Sequence, residues 1–368
     1  MERLCVSLQE ERQRGMEYEK ALERKHRQIA DLEEKGGAVY VVGSNQDGQL
    51  GLGDLTHRLS FTVIPSTRGL NVTHVSCGHN ISFAVTQDHH VYTWGGKGVG
   101  PAGIDTSSSV ASSPSSPSSS PSNNIDNDEN NKGQNKFCKP QLIPTLLGEE
   151  IEKVSLGSRH VCALSEGGDC FVWGHGSFGA LGIGESTQSG NEHEHSNNYH
   201  SHDTPVLMET FRKKDVIRNV DSGENHNCAL TTNGEVYSWG HAASGRLGLG
   251  HIGTHNIYVS VPSLVREFSP AQPIHKISCG AEHVLALALA LGCSNGSSSS
   301  SSRVFSWGSG DGGRLGHGDC SNRYNPTPIM ALDSWNVSDI SAATWHNACV
   351  VLIPPFRNAG WVYTWVST

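Results

Sequence analysis

The sequence predicts an all-β fold: a β-propeller of four-stranded blades, preceded by an N-terminal α-helix. Three observations support this prediction. The 368 residues include 42 glycines, as expected for many short strands joined by tight turns. Two motifs alternate along the chain, and segments with strand-like alternation lie between them. We therefore predict five repeats and the first strands of a sixth over residues 38–368.

The first motif reads W-G-x4-G-x-L-G-x-G. Valine replaces the tryptophan in the copy that begins at Val42, and a degenerate copy begins at Trp94. Glycine is needed where the chain leaves a strand and reverses sharply, and we expect the leucine to fill the space between neighbouring sheets. The residues assigned to this structural role are Trp173, Gly174, Leu181, Trp239, Gly240, Leu247, Trp307, Gly308 and Leu315.

The second motif is G-x-x-H followed by a short strand. Its glycines and histidines are Gly157 and His160, Gly223 and His226, Gly280 and His283, with Ala343 and His346 as a variant and Ile81 replacing histidine in the Gly78 copy. Period-two alternation places His160, Cys162 and Leu164 on one face of their strand. We expect each imidazole to hydrogen-bond backbone groups at a blade junction. One histidine per blade is spread around a ring, which predicts no metal site.

A hairpin follows each of these strands. Thr232-Asn233-Gly234 lies between the strand after His226 and the strand that enters Trp239. Asn-Gly favours a two-residue turn because both residues tolerate positive φ. Each period thus supplies about four short strands, which is one propeller blade.

Three polar tracts interrupt the repeats, at residues 104–137, 185–203 and 293–302. Such compositions cannot bury enough apolar surface to offset the entropy of ordering, so they predict disordered surface inserts. The second tract carries His193, His195, His200 and His202, whose spacing is compatible with weak metal chelation. A solvated loop is the interpretation we favour there.

Residues 1–37 predict one helix that ends in a Gly36-Gly37 hinge. Its apolar residues follow a spacing of three and four: Leu8, Tyr18, Leu22, Ile29 and Leu32. This pattern predicts a short coiled coil that forms a homo-oligomer or docks on a partner. A solvated helix that continues from an upstream region explains the pattern equally well.

Charge and motif content exclude several functions. The net charge is −9, and no long Lys/Arg run offers a footprint for direct nucleic-acid binding. The apolar stretch Val284–Leu291 is too short to cross a membrane, and the charged N-terminus is unlike a secretory signal. No nucleophile elbow, Walker loop or dinucleotide fingerprint is present. We therefore expect a cytoplasmic or nuclear protein that is not an enzyme and has no cofactor.

Together the two motifs resemble the repeat of the regulator of chromosome condensation family, from Ala38 to the C-terminus except the inserts. The resemblance implies a seven-bladed propeller. The ring predicted here is then incomplete, or the chain is a fragment of a longer product. An open ring leaves two blade faces unburied, which predicts either poor solubility or a partner that caps them.

The repeat pattern and the lack of catalytic residues predict a protein–protein interaction module that presents propeller loops to a partner. The resemblance implies an alternative, a guanine-nucleotide exchange factor or regulator for a small Ras-like GTPase. The residues it marks as partner-facing are Glu224, His226, Glu282 and His283. A further alternative is one module of a larger ubiquitin ligase or kinase.

Overall fold

The computed structural model describes residues 37–78, 80–96, 136–184, 201–211, 216–250, 257–268, 272–289, 302–352 and 360–366. The predicted N-terminal helix and most of the three predicted inserts lie outside these residues. No helix within the described residues is long and apolar enough to span a membrane.

The described residues form antiparallel strands and a few 3-10 turns. The strands are β1 (Tyr40–Gly43), β2 (Arg58–Val63), β3 (Val72–Cys77), β4 (Ile81–Thr86), β5 (Val91–Gly95), β6 (Gln141–Leu142), β7 (Ile151–Leu156), β8 (His160–Ser165), β9 (Cys170–Gly174), β10 (His202–Leu207), β11 (Ile217–Ser222), β12 (His226–Thr231), β13 (Val236–His241), β14 (Tyr258–Leu264), β15 (Ile274–Cys279), β16 (His283–Leu289), β17 (Ser302–Gly308), β18 (Arg323–Pro328), β19 (Asn336–Ala342), β20 (His346–Leu352) and β21 (Gly360–Val366).

These strands pair in chain order into six sheets. Four are complete four-stranded blades, which we number I (β3–β6), II (β7–β10), III (β11–β14) and IV (β15–β18). The half blade β1–β2 precedes them, and the three-stranded terminal blade β19–β21 follows. The prediction of an all-β propeller with four-stranded blades is confirmed, while the number of blades in a closed ring stays a prediction.

The blades pack side by side with their first strands innermost. Each first strand contacts the first strand of the next blade, from β3 through β7, β11 and β15 to β19. Alternate residues of a strand serve opposite junctions. Cys162 and Leu164 lie in the core shared with blade III, whereas Val161 and Ala163 lie in the core shared with blade I. The predicted two faces of this strand are confirmed.

The tryptophan that opens the first motif, which we call the slot tryptophan, fastens blades I, III and IV and the terminal blade to the unit that precedes each of them. The Trp239 indole Nε1 donates to the carbonyl oxygen of Ala180, the residue before the motif leucine of blade II, at 3.0 Å. The same bond recurs from Trp94 to Gln49 at 2.9 Å, from Trp307 to Arg246 at 3.1 Å and from Trp365 to Arg314 at 2.9 Å. The motif leucines beside these carbonyls, Leu181, Leu247 and Leu315, are at most 2% exposed.

The motif glycines allow this close contact. A Cβ on Gly182 would lie 2.6 Å from the indole nitrogen of Trp239, and its φ of +67° is itself unfavourable for other residues. The glycines that follow the slot tryptophans, Gly174, Gly240 and Gly308, have φ of 99°, 105° and 110°. In the second motif the imidazole lies against the glycine, since a Cβ on Gly157 would be 2.0 Å from Cε1 of His160.

Two of the motif histidines, His160 and His283, bind an amide side chain of the next blade and not the backbone groups we expected. His160 Nε2 donates to Asn227 Oδ1 at 2.7 Å, and Asn227 Nδ2 donates to the Ala180 carbonyl that also accepts the indole of Trp239, at 2.8 Å. His283 and Asn347 repeat the arrangement at 2.6 Å. The asparagine therefore links the imidazole of one blade to the turn carbonyl of that same blade.

Two of the three junctions between complete blades lack the histidine–asparagine pair, with different consequences. Between blades I and II both positions are apolar, Ile81 and Val161. Between blades III and IV only the asparagine is replaced, by Val284. Both ring nitrogens of the fully buried His226 then have no hydrogen-bond partner among the described residues.

The last residues of the predicted inserts belong to regular structure. Lys136 begins a 3-10 turn, Lys136–Cys138, while His202 lies in β10 and Ser302 in β17. Ser302 Oγ accepts a bond from the backbone N–H of Val337 at 2.6 Å. The predicted insert boundaries therefore extend too far, because a polar composition does not mark where backbone pairing begins.

The unpaired His226 generates a testable prediction about stability. Val284→Asn should supply the missing acceptor, and we expect the free energy of unfolding to stay unchanged or to rise by up to about 1 kcal/mol. Val161→Asn is the matched control, because it faces Ile81 and leaves a buried amide without an imidazole. It should cost about 1–3 kcal/mol.

Chemical denaturation of the wild type and both variants measures these changes in the free energy of unfolding. Equal destabilisation by the two substitutions would contradict the pairing of a motif histidine with an asparagine of the next blade. That pairing requires the two changes in unfolding free energy to differ in sign or by at least about 1 kcal/mol.

Candidate partner-binding face

One face of the propeller collects both motif loops. In an antiparallel blade, the connection between strands one and two and the connection between strands three and four lie at the same end. We call this end the loop face; it comprises residues 157–159, 223–225, 280–282 and 343–345, and the turns that follow the slot tryptophans. The parts of the predicted inserts at 104–135 and 185–200 connect strands three and four of blades I and II.

Backbone hydrogen bonds fix the loops of successive blades to each other. The Ser158 N–H and hydroxyl both donate to the Glu224 carbonyl, at 3.0 Å and 2.7 Å. The Glu224 N–H donates in turn to the Ala281 carbonyl at 3.1 Å. Three blades thereby hold one another's loops in a fixed arrangement, so that this face is preorganised for binding.

A cavity of about 480 Å³ opens where these loops meet at the innermost strands. Its walls include Leu156, Ser158, Ala281 and Trp345, and Glu224 is the one charged residue among those that line it. The Trp345 side chain is 57% exposed. The cavity thus combines a half-exposed aromatic ring, small residues and a carboxylate.

Next to this cavity, two buried arginines hold a carboxylate. Arg246 Nη2 lies 3.0 Å from Glu282 Oε1, and Arg314 Nη1 lies 3.6 Å from Glu282 Oε2. The side chains of Arg246 and Arg314 are 4% and 1% exposed, and that of Glu282 is 33% exposed. The Arg314 guanidinium carbon also lies 4.4 Å from the ring centroid of Trp345, a cation–π contact.

The position of both arginines follows from the first motif. Each precedes a motif leucine, and each Nε donates to a carbonyl of its own turn: Arg246 to Ala243 and Arg314 to Asp311, both at 2.9 Å. Burial lowers the pKa of Arg246 from its usual value, and Glu282 opposes that effect. Both guanidinium groups lie within 4 Å of the Glu282 carboxylate, and Glu224 supplies a second negative charge that acts on Arg246.

The four residues marked as partner-facing lie in different environments. The imidazoles of His226 and His283 are fully buried, whereas Glu224 is exposed and Glu282 is partly exposed. A protein that docks on this face would therefore meet Glu224, Glu282 and Trp345 and would not touch either imidazole. Sequence reasoning missed Arg246 and Arg314, although G-R-L-G in two copies of the first motif was a visible signal.

The histidines of the second motif also differ in burial. His160, His226 and His283 are each at most 1% exposed, while His346 is exposed on the terminal blade. Burial lowers the pKa of His160 and His283 to about 4, with the asparagine bonds acting in the opposite direction. Burial likewise holds the pKa of His226 well below its usual value. Within the described residues no group of His, Cys, Asp or Glu is arranged to hold a metal ion.

Comparison with known proteins now assigns the family. The model of the RCC1-like domain matches residues 37–365, a span that contains the half blade, the four complete blades and all but the last residue of the terminal blade. The chain belongs to the RCC1-like domain family.

Two relatives and one solved structure resemble this RCC1-like domain. It is 27% identical over 320 residues to the Ultraviolet-B receptor UVR8 of Arabidopsis thaliana, covering 84% of the chain and 60% of the receptor. It is 29% identical over 331 residues to the human E3 ubiquitin-protein ligase HERC2, covering 89% of the chain and 6% of the ligase. The structure of Prp20p from Saccharomyces cerevisiae matches with a TM-score of 0.59 and 17% identity over 84% of the chain and 63% of Prp20p, which shows the shared fold.

The buried imidazoles predict a loss of stability in acid. The pKa values of His160 and His283 are lowered from the ordinary value of 6.5 to about 4 in the folded state. Between pH 6.5 and about pH 4, these imidazoles therefore bind more protons in the unfolded chain than in the folded one. The free energy of unfolding should therefore fall as the pH drops through this window, by about 1.4 kcal/mol per pH unit for each imidazole.

A double variant isolates one of these contributions. His160→Ile with Asn227→Val copies the apolar pair Ile81–Val161 and should reduce the slope of unfolding free energy against pH by about one imidazole's share. Ile81→Val, which changes no titratable group, should leave the slope unchanged. Identical slopes in the wild type and the double variant would show that His160 is not held neutral by the fold.

Proposed function

We propose that this RCC1-like domain is a regulatory protein-interaction module whose loop face binds a partner protein. The observation that carries the proposal is the cavity lined by exposed Trp345 and by Glu224, whose loop is hydrogen-bonded to the loops of blades II and IV. Rigid scaffolds that present loops are suited to recognition. Aromatic side chains next to a pocket are also common centres of binding energy.

The chemistry of the cavity supports binding without catalysis. Among the described residues its lining contains Ser158, Ser222 and Cys279 and no imidazole, and the Cys279 thiol donates to the Asp221 carbonyl at 3.4 Å. A nucleophile needs an adjacent base to act. We therefore propose that the domain acts through a partner, in the cytoplasm or nucleus, without a cofactor.

The lengths of the relatives support a modular role. The chain spans 60% of UVR8 and only 6% of HERC2. We propose that a domain of this kind can serve as one part of a larger protein, such as a ubiquitin ligase or kinase, whose catalytic activity lies elsewhere.

Exchange of guanine nucleotide on a small Ras-like GTPase is the second candidate function. Prp20p, which shares the fold, was described together with its binding to Gsp1p and histones. In this chain the exposed carboxylate of Glu224, in the loop of the second motif, is the feature that favours this candidate.

The loop-face proposal predicts which substitutions abolish partner binding. Trp345→Ala and Glu224→Lys should each reduce recovery of the partner about tenfold or more in quantitative affinity capture, because each removes a central contact. Glu166→Lys is the matched control, since Glu166 is an exposed carboxylate on the hairpin of the opposite face. If all three variants recover the same proteins as the wild type, the loop face is not the binding surface.

Release of a fluorescent nucleotide from a panel of small GTPases separates the two functions. An exchange factor should accelerate release, and Glu224→Lys should remove that acceleration while Glu166→Lys retains it. An interaction module without exchange activity leaves every release rate at its intrinsic value.

A further inference from the structure

The loops of the second motif leave one set of backbone carbonyls without donors, and the residues that carry them line the loop-face cavity. In each of four loops the N–H of the first motif residue donates to the carbonyl of the motif histidine, at 2.8–2.9 Å. The carbonyl oxygen of that same first residue accepts no backbone hydrogen bond within the described part of the chain. The four residues, all of which line the cavity, are Gly157, Gly223, Gly280 and Ala343.

The motif glycines leave room beside these carbonyl oxygens. A Cβ on Gly223 would lie 2.5 Å from the carbonyl oxygen of Gly280, and a Cβ on Gly280 would lie 2.5 Å from that of Ala343. Each of these two oxygens therefore lies against the motif glycine of the preceding blade. Gly157, Gly223 and Gly280 are buried, and buried backbone carbonyls are nearly always hydrogen-bonded. Several such carbonyls without a backbone donor at one cavity point to a ligand that supplies N–H groups.

The donors of these loops already have acceptors. The N–H groups of the four first motif residues bond within their own loops. The Glu224 N–H donates to the Ala281 carbonyl, and both donors of Ser158 bond to the Glu224 carbonyl. The Cys279 N–H donates to Asp221 Oδ2 at 2.9 Å. The hydrogen-bonding groups that remain at the cavity are therefore mainly acceptors.

The carboxylate of Glu224 adds a negative charge to these acceptors. Glu224 is exposed and forms no salt bridge with another described residue, whereas Glu282 is held by Arg246 and Arg314. The two guanidinium groups are 4% and 1% exposed, so a ligand in the cavity meets the Glu224 carboxylate and not the arginines. The cavity volume of about 480 Å³ is large enough for a long side chain.

We propose that this cavity binds a lysine side chain of the partner protein, whose ammonium group donates to the Glu224 carboxylate and to the motif carbonyl oxygens. This site, which rests on the loop-face function proposed above, sets which group of the partner is recognised. An ammonium group has three donors and no acceptor, which matches a surface of acceptors. Its donors rotate and can reach oxygens on different loops, whereas a guanidinium presents a rigid planar fork. The four-carbon stem packs against Leu156 and Ala281.

Binding of a lysine peptide to the full chain tests the proposal. The probe is the pentapeptide acetyl-Gly-Gly-Lys-Gly-Gly-amide, and binding is followed by NMR through the 15N-labelled indole of Trp345, which lines the cavity. The peptide should shift this resonance saturably. The same peptide with norleucine, which keeps the four-carbon stem and lacks the ammonium group, should bind at least about tenfold more weakly, because hydrogen bonds to a charged donor are lost.

Two protein variants locate the ammonium contact. Glu224→Gln keeps the size of the side chain and removes its charge, so it should weaken binding of the lysine peptide several-fold and leave binding of the norleucine peptide unchanged. Glu166→Gln makes the same change at an exposed carboxylate on the opposite face and should leave both affinities unchanged. Thermal melts establish that both variants fold. If Glu224→Gln does not fold, the comparison of lysine with norleucine on the wild-type chain still decides the result.

Four results would overturn the proposal: no saturable shift, equal binding of the norleucine peptide, tighter binding of the matching arginine peptide, or displacement of the lysine peptide by calcium, which would mark a metal site. Failure of this site and failure of the loop-face function are distinguishable. If partner capture depends on Trp345 and Glu224 but the chain shows no preference for lysine, the lysine site alone is wrong. If the lysine peptide binds but every variant recovers the same proteins, the loop-face function alone is wrong.

Discussion

The indole N–H of the slot tryptophan, bonded to one carbonyl in the turn of the preceding blade, is the contact on which the architecture depends. The indole of Trp239 is fully buried. Such an indole needs a hydrogen-bond acceptor, because removing its N–H from water without one lowers the free energy of unfolding. The glycine-rich turn supplies that acceptor and permits the close approach. Where asparagine follows the motif histidine, as Asn227 does, its Nδ2 donates to the same carbonyl and its Oδ1 accepts from the imidazole of the preceding blade, which links the tryptophan, the asparagine and the imidazole across a junction.

The same constraint positions the candidate binding face. Because Trp307 fixes the carbonyl of Arg246, the turn that carries this arginine cannot shift, and its guanidinium stays directed at Glu282 of the next blade. Trp365 fixes Arg314 in the same way, which places its guanidinium beneath Trp345. The buried charges of the loop face are thus a consequence of how blades attach to one another, and the exposed Trp345 and Glu282 rest on a rigid support.

Sequence patterns predicted the blades well because tryptophan, glycine and leucine recur at short fixed spacing and each has one steric reason to be there. The partnership of His160 with Asn227 was not visible, because these residues are far apart in the chain and Asn227 resembles any polar strand residue. Burial of His226 also depends on the next blade, which local sequence does not encode.

Exchange of the indole protons with deuterium, followed by NMR of the chain with 15N-labelled tryptophan, tests the interblade bond most directly. The chain has eight tryptophans, which site substitution assigns. The indole protons of Trp94, Trp239, Trp307 and Trp365 should persist long after those of Trp335, Trp345 and Trp361, which are 42%, 57% and 61% exposed, have exchanged. Exchange of the first four as rapidly as the exposed three would contradict the account.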